Sequence, residues 1–283
     1  MPVDPEKALG AELPAVQASW TPDDVILYHL GLGAGNPPTD PGELAYTYEG
    51  GLKVLPTYGV IAPAPALAGM LEVPGLDINW TTLLHGEQEL TVHKPIPTAA
   101  TVTSAGRVAG LYDKGKAALL ILDIDTRDDG GELLFTNRYS LFLRGEGGFG
   151  GESGPQPGNI APDRAPDAVI ESATLPQQAL LYRLSGDKNP LHADPAFAAL
   201  GGFDRPILHG LCTYGVVCKA VVDGLLDGDV DRVAGYQARF AGVVFPGETI
   251  VTSVWREDGR LLVQASVSER DVAVITNAAI TLR

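Results

Sequence analysis

"LHGLCTYGVVCKAVVDGLL", residues 208–226, is apolar almost all the way round for about five helical turns. A helix laid on a surface keeps one polar face, so a helix without one is buried. Four β-rich runs follow it, residues 235–244, 249–255, 260–268 and 272–282. Alternation such as "LLVQASVS" gives them the character of strands with one covered face. A buried helix followed by a long antiparallel sheet is an α+β unit.

The unit is written twice. Asn36-Pro37 recurs as Asn189-Pro190, and "TYGV" at 57–60 recurs at 213–216. "PTAATVTS" from Pro97 faces "PGETIVTS" from Pro246, and "TNRYSLFLR" from Thr136 faces "TNAAITLR" from Thr276. Matches in one order mark an internal duplication. The first copy carries its strands in "TVTSAGRV", "AALLILDID" and "LLFTNRYSLFL". Between the copies "GEGGFGGESGPQPGNIAPDRAPDA" is too rich in Gly and Pro for a packed element and reads as a linker or long crossover. The expected organisation is a repeat over 1–144, a linker over 145–168 and a repeat over 169–283, each with a sheet around a buried helix.

The 283 residues are 45% hydrophobic and 19% charged, an ordinary globular composition. No run reaches the roughly 18 uncharged apolar residues of a spanning helix, so no membrane is expected. The start "MPVDPEKALGAELP" has neither the basic end nor the apolar core of a signal peptide. Cys212 and Cys218 lie on one expected helix and point in different directions, so no disulfide and a cytoplasmic location are expected. A net charge of −15 argues against nucleic acid, whose binding needs clustered Lys and Arg. It leaves room for a small anionic ligand held by local cations.

The chemistry is concentrated just before the buried helix, in "GDKNPLH" from Gly186. Pro190 disfavours helix at Asn189, so the chain bends between Asp187 and His192 and their side chains can converge. A carboxylate and an imidazole sharing one water form a general acid–base pair. His209-Gly210 then opens the helix, where amides without an intrahelical acceptor suit a developing oxyanion. Other readings stay open at this point. Asp187 could merely cap the turn, and His192 could be a structural histidine. His192-Ala193-Asp194 with His209 also has the ligand content of a facial iron triad, although that triad needs stable strands and His209 begins a helix. In the first repeat Ala34 stands at the place of Asp187 and Thr39 at that of His192, so that turn holds no acid or base.

The run from Tyr182 through His209-Gly210, together with "LPTYGVIA", "LLHGEQEL", "LYDKGKAA", "SLFLRGEGGFGG" and "QARFAGVVFPGET", resembles the (R)-specific enoyl-CoA hydratases, the hydratase 2 branch of the MaoC-like family, in its two-repeat form. The resemblance implies a double hotdog fold and a hydro-lyase acting on acyl-CoA thioesters of β-oxidation. It implies that Asp187 and His192 activate water, that Asn189 orients them and that the Gly210 amide holds the oxyanion. It places acyl-CoA contacts at His85, Gly86, Lys114 and Phe240, and the candidate binding set adds Lys188, Pro190, Leu191 and Arg205. No metal or separate cofactor is implied, coenzyme A being part of the substrate, and a homodimer is expected. The small, apolar "LGLGAGNPP" of the first repeat is expected to clear room for a bulky or long acyl group. A hotdog thioesterase and a non-catalytic acyl-CoA-binding subunit are the alternatives.

Overall fold

The computed structural model describes residues 3–78 and 83–283. The first repeat contributes β1 (Glu12–Trp20), β2 (Leu83–Val92), β3 (Ala100–Asp113), β4 (Ala117–Asp128) and β5 (Leu133–Arg144). The second contributes β6 (Ala168–Ala173), β7 (Val233–Phe240), β8 (Thr249–Glu257), β9 (Arg260–Val267) and β10 (Val272–Leu282). They form one ten-stranded sheet in the order β1-β3-β4-β5-β2-β7-β10-β9-β8-β6. Read from either end, the order is the same within each half, so the duplication is visible in the topology. The halves meet where β2 pairs with β7, with Leu90 opposite Tyr236 and Glu87 opposite Arg239. Glu87 and Arg239 also form an ion pair across this seam.

The helices are α1 (Pro5–Ala8), α2 (Pro22–Gly31), α3 (Pro41–Thr47), α4 (Gln178–Tyr182), α5 (Pro195–Leu200) and α6 (Gly210–Leu225). The expected buried helix is α6. Its Cys212, Tyr214, Val217, Cys218, Val221 and Val222 share one core with Tyr236, Ile250, Val263 and Ile275 of the sheet. Each large side chain removed from water contributes roughly 1.5–3 kcal/mol. The polar residues of α6 tie it to the first repeat: Lys219 Nζ donates to Glu43 (2.6 Å) and Asp223 (2.9 Å), and Tyr46 Oη donates to Asp223 (2.6 Å). Both cysteines are buried free thiols. Among the described residues no helix is long and apolar enough to cross a membrane.

The structure corrects two expectations. Among its described residues the first repeat has no counterpart of α6: "TYGV" lies in a 3-10 turn, Pro56–Val60, followed by a second, Ala64–Glu72. Pro56, Pro63 and Pro65 remove the amides that a continuous helix would use. β7 stops at Phe240 instead of running to residue 244, because the chain turns so that the Val244 carbonyl accepts the Leu208 amide (2.8 Å). That bond holds the residue preceding His209. The Gly/Pro-rich crossover is pinned along its length. Asp113 accepts the Gly148 and Gly150 amides (3.0 and 2.6 Å), Asn159 donates to Gln237 (2.8 Å), and the Trp255 indole donates to the Arg164 carbonyl (2.9 Å).

His29 joins α2 to the loop before the 3-10 turns. Fully buried, its Nε2 accepts the Leu55 amide (3.2 Å) and its Nδ1–H donates to the Tyr46 carbonyl (2.8 Å). Those roles require the neutral ring, and burial pushes its pKa from 6.5 down to about 4. The unfolded chain therefore takes up this proton before the folded one does. The stability is complete above about pH 6.5 and is lost as pH falls toward 4, on the order of 3 kcal/mol. Urea midpoints followed from neutral pH down to that range should fall more steeply for the wild type than for His29→Gln. Parallel curves would show that His29 carries none of the pH dependence.

Candidate active site

The catalytic turn is built from short-range bonds. After α4 and a 3-10 turn, Arg183–Ser185, the chain reverses at Gly186 with φ 134, a conformation glycine adopts without strain. One Asp187 carboxylate oxygen accepts the Asn189 amide (3.0 Å), and Asn189 Oδ1 accepts the Leu191 amide (3.0 Å). Pro190–His192 form another 3-10 turn, and Asp194 then caps α5 through the Ala196 amide (2.8 Å).

His192 is 8% exposed, and its Nδ1–H donates to the Ile207 carbonyl (2.9 Å), leaving Nε2 available. His209, at the start of α6, lies against it: the rings stack 3.7 Å apart at 26°. His209 Nε2–H donates to the Asp187 backbone carbonyl (3.2 Å). A carboxylate oxygen of Asp187 and one nitrogen from each ring lie within 4.8 Å of one another. Two groups hydrogen-bonded to one shared water stand about 4–5 Å apart, so the site is dimensioned for a single water. Burial pushes His192 below the ordinary histidine value of 6.5. Burial and the neighbouring His192 push His209 down to about 4. Both rings are therefore neutral at pH 7, and His192 can accept a proton.

The structural and reactive readings of this turn hold together. Asp187 caps the turn with one oxygen and presents the other; His192 is anchored by one nitrogen and presents the other. The H-x-D…H iron set is not assembled, because Asp194 is spent on the α5 cap. Asp187 stands beside the two histidines in its place. With the rings stacked, an ion at bonding distance from both would lie well out of the plane of at least one ring.

Asp187, Lys188 and Tyr182 of the second repeat line a cavity of about 620 Å³ whose other wall comes from the first repeat, through Trp20, Val60, Ile61, Leu67 and His85. Gly210, first residue of α6, faces Phe240, whose ring would stand 3.4 Å from an added Cβ. Phe240 in turn meets His85 edge-on at 5.1 Å. His85, Phe240 and Gly210 are thus contiguous across the β2–β7 seam. Gly86 sits at the irregularity of β2 between His85 and Glu87. An added Cβ there would come 2.6 Å from the Phe142 ring, so Gly86 lets the strand bulge and aim His85 inward.

Other expected contacts lie elsewhere. Lys114 follows β3 and lines a separate groove of about 230 Å³, with Arg138, Phe142 and Pro155, on the opposite sheet face beneath the crossover. Strand alternation puts Arg138 and Phe142 on the face opposite Tyr139, which is why Lys114 does not reach the cavity. The Arg205 guanidinium rests on the Phe245 ring at 4.6 Å, away from the cavity. Pro190 and Leu191 shape the turn without lining the cavity, the Leu191 carbonyl accepting the Ile207 amide (3.4 Å). The small residues of the first turn also make room for something other than ligand. A Cβ on Gly31 would lie 2.9 Å from Tyr182 Cα, and Gly33 abuts Gln178 at 3.3 Å. Ala34 is core, and Thr39 is exposed. They admit α4, while β1, the 3-10 segments, His85 of β2 and Tyr139 of β5 supply the first repeat's share of the cavity.

Sequence reasoning missed Tyr182, Ser185 and Tyr139 in the cavity wall and Arg183, whose guanidinium donates to the Lys188 carbonyl (3.3 Å). Alternation along β5 could have turned Tyr139 inward, but nothing local links it to Asp187.

Two family models match: "MFE-2 hydratase 2 N-terminal domain" over residues 19–145 and "MaoC like domain" over residues 158–278. The chain is 50% identical over 277 residues to enoyl-CoA hydratase ChsH3 of Mycobacterium tuberculosis, covering 97% of each. It is 42% identical over 283 residues to the protein named enoyl-CoA hydratase 2, peroxisomal, of Arabidopsis thaliana, covering 94% of this chain and 92% of that one. The crystal structure of a MaoC-like dehydratase from Phytophthora capsici matches with a TM-score of 0.87 at 32% identity over 99% of both chains. Full-length peroxisomal multifunctional enzyme type 2 of Drosophila melanogaster matches with a TM-score of 0.84 at 34% identity, and this chain spans 48% of it. With its paired α+β repeats and the intact turn from Asp187 to Gly210, the chain belongs to the hydratase 2 branch of the MaoC-like family, a double hotdog.

Proposed function

We propose that this enzyme adds water reversibly across the double bond of a trans-2-enoyl-CoA, giving the (3R)-3-hydroxyacyl-CoA, as a hydro-lyase of acyl-CoA β-oxidation. The observation that carries the reading is the Asp187 carboxylate and His192 imidazole within 4.8 Å of each other, with Asp187 on the wall of a 620 Å³ cavity. Water held between them loses a proton to one as its oxygen bonds C3. The proton delivered to C2 comes from the same pair. Negative charge gathers on the thioester oxygen, and the Gly210 amide at the positive end of α6 receives it. Asn189 holds the turn, and the His209 ring supports His192 by stacking. This proton transfer requires no metal. The relatives named enoyl-CoA hydratase favour hydration over thioester cleavage. The size of the cavity suits a long or bulky acyl group.

The open edge strands β1 and β6 are places where a second copy can pair, in keeping with a homodimer. Two buried thiols suit a reducing compartment, the basis on which we propose a cytoplasmic location.

Asp187→Asn and His192→Ala should each lower turnover of trans-2-decenoyl-CoA by about two orders of magnitude with the fold retained. Loss of conjugated-thioester absorbance reads the rate, and a thiol reagent in the same cuvette should stay silent. Near-wild-type turnover in either variant, or steady thiol release, would sink the mechanism. Overnight chelation should leave the rate unchanged; loss restored by a divalent ion would make the Asp187–His192–His209 cluster a metal site.

The acid limb of kcat/KM should lie below pH 6.5, since His192 must be neutral to accept a proton and burial holds its pKa under that value. An acid limb above it would assign the base elsewhere.

Lys188, exposed on the cavity rim, is the cation best placed for the ligand's phosphates. Lys188→Ala should raise KM several-fold with maximal rate nearly intact, and added salt should shrink the effect. Lys114→Ala, on the other sheet face, should raise KM less. The reverse ranking would move the coenzyme A tail across the sheet.

A further inference from the structure

Glu248 and Arg270 form an ion pair away from the cavity, which neither of them lines. Glu248, in the loop between β7 and β8, is only 5% exposed. Arg270, in the turn between β9 and β10, donates through Nε to one Glu248 oxygen (2.6 Å) and through a terminal nitrogen to the other (2.9 Å). The same terminal nitrogen donates to the Val243 carbonyl (2.6 Å), and the Phe245 amide donates to Glu248 (2.7 Å). Val244 is thus held from both sides by one charged pair. A buried carboxylate bonded in this way is a fixed point, because removing either partner leaves the other charge uncompensated.

Val244 connects this pair to the catalytic turn. Its carbonyl accepts the Leu208 amide (2.8 Å). The Leu208 N–H and the Ile207 C=O belong to one planar trans peptide unit and point in opposite directions. Fixing the N–H on Val244 therefore fixes the C=O, and this C=O accepts His192 Nδ1–H (2.9 Å). A second tie follows the same route. The Phe245 ring carries the guanidinium of Arg205 at 4.6 Å and that of Arg270 at 5.0 Å, so the segment leading to Ile207 also rests on the loop. In a neutral imidazole, the nitrogen that bonds a carbonyl must hold the proton, and the other nitrogen is left as the acceptor. We propose that Glu248 and Arg270 are a positioning pair for hydration: through Val244 and the Ile207–Leu208 peptide they hold His192 in the tautomer whose Nε2 can take a proton from water. The inference deepens the hydratase reading and rests on it for its kinetic arm.

Glu248→Gln keeps the size of the side chain and removes its charge and one acceptor oxygen; Arg270→Lys keeps the charge and removes the planar fork. NMR of isotopically labelled imidazole nitrogens in the unliganded enzyme reads the tautomer, with His192 assigned by the signals that vanish in His192→Gln. The wild type should show a protonated Nδ1 and a bare Nε2. In each variant the two nitrogens should move toward a common shift, the signature of mixed tautomers. With trans-2-decenoyl-CoA, kcat should fall about tenfold or more while KM stays within about twofold, because a base in the wrong tautomer costs turnover and not binding. A folding defect in one variant leaves the other to decide. A bare Nδ1 in the wild type would overturn the inference without any variant. Wild-type tautomer and kcat in both variants, with only a lower unfolding temperature, would also overturn it and make the pair a brace for the β7–β8 loop. A loss carried by KM alone would do the same, by placing the effect on the shape of the cavity. Absence of wild-type turnover would instead remove the hydratase reading, and the tautomer measurement would still judge the pair.

Discussion

The pairing of β2 with β7 is the constraint on which the rest depends. Each repeat alone would present β2 or β7 as an edge, with a row of unsatisfied backbone groups. Pairing them consumes both edges and sets Glu87 against Arg239 and Leu90 against Tyr236. It also brings His85 of one repeat beside Phe240 of the other. The cavity has one wall from each repeat because the sheet is continuous there. A slip of one residue along this seam would turn His85 to the opposite face, which is why the bulge at Gly86 matters to the site as much as the histidine does.

The second organising feature is the economy of the catalytic turn. Asp187, Asn189 and His192 each spend one polar atom on the backbone and keep another for chemistry. Rotamers locked this way lose little freedom when substrate arrives. Burial keeps both stacked rings neutral, so His192 can accept a proton at physiological pH, and the Gly210 amide opens α6 one residue after His209. Position and protonation state thus come from the same contacts.

Duplication allowed the two repeats to diverge. The second has the long helix α6 and, just before it, the polar turn. The first lost that helix to prolines, and its 3-10 segments now form the far wall of the cavity. Its own turn was relieved of chemistry, but the space so released went to Tyr182 and Gln178 of α4 rather than to ligand. Small residues at this turn form a packing surface on which the two repeats meet. Lys219, bound to Glu43 of the first repeat, secures the same closure from the other side of α6.

Much was determined by the sequence alone. Periodicity decided α6 and the strands of both repeats, because buried helices and half-covered strands leave patterns of period 3.6 and 2 in any chain that forms them. The turn from Gly186 to His192 was legible because its bonds are local: proline before a bend, Asx side chains reaching two residues on, a helix amide at Gly210. The cavity wall was not legible. Tyr139, Tyr182 and His85 lie far apart along the chain and become neighbours only when β2, β5 and α4 are assembled around one space, and a residue's side-chain period says which face it takes but not what it meets there. Lys114 shows the converse. Its surroundings in the sequence matched a binding motif, yet sheet alternation put it on the face away from Asp187, a decision made by pairing partners that no local pattern records.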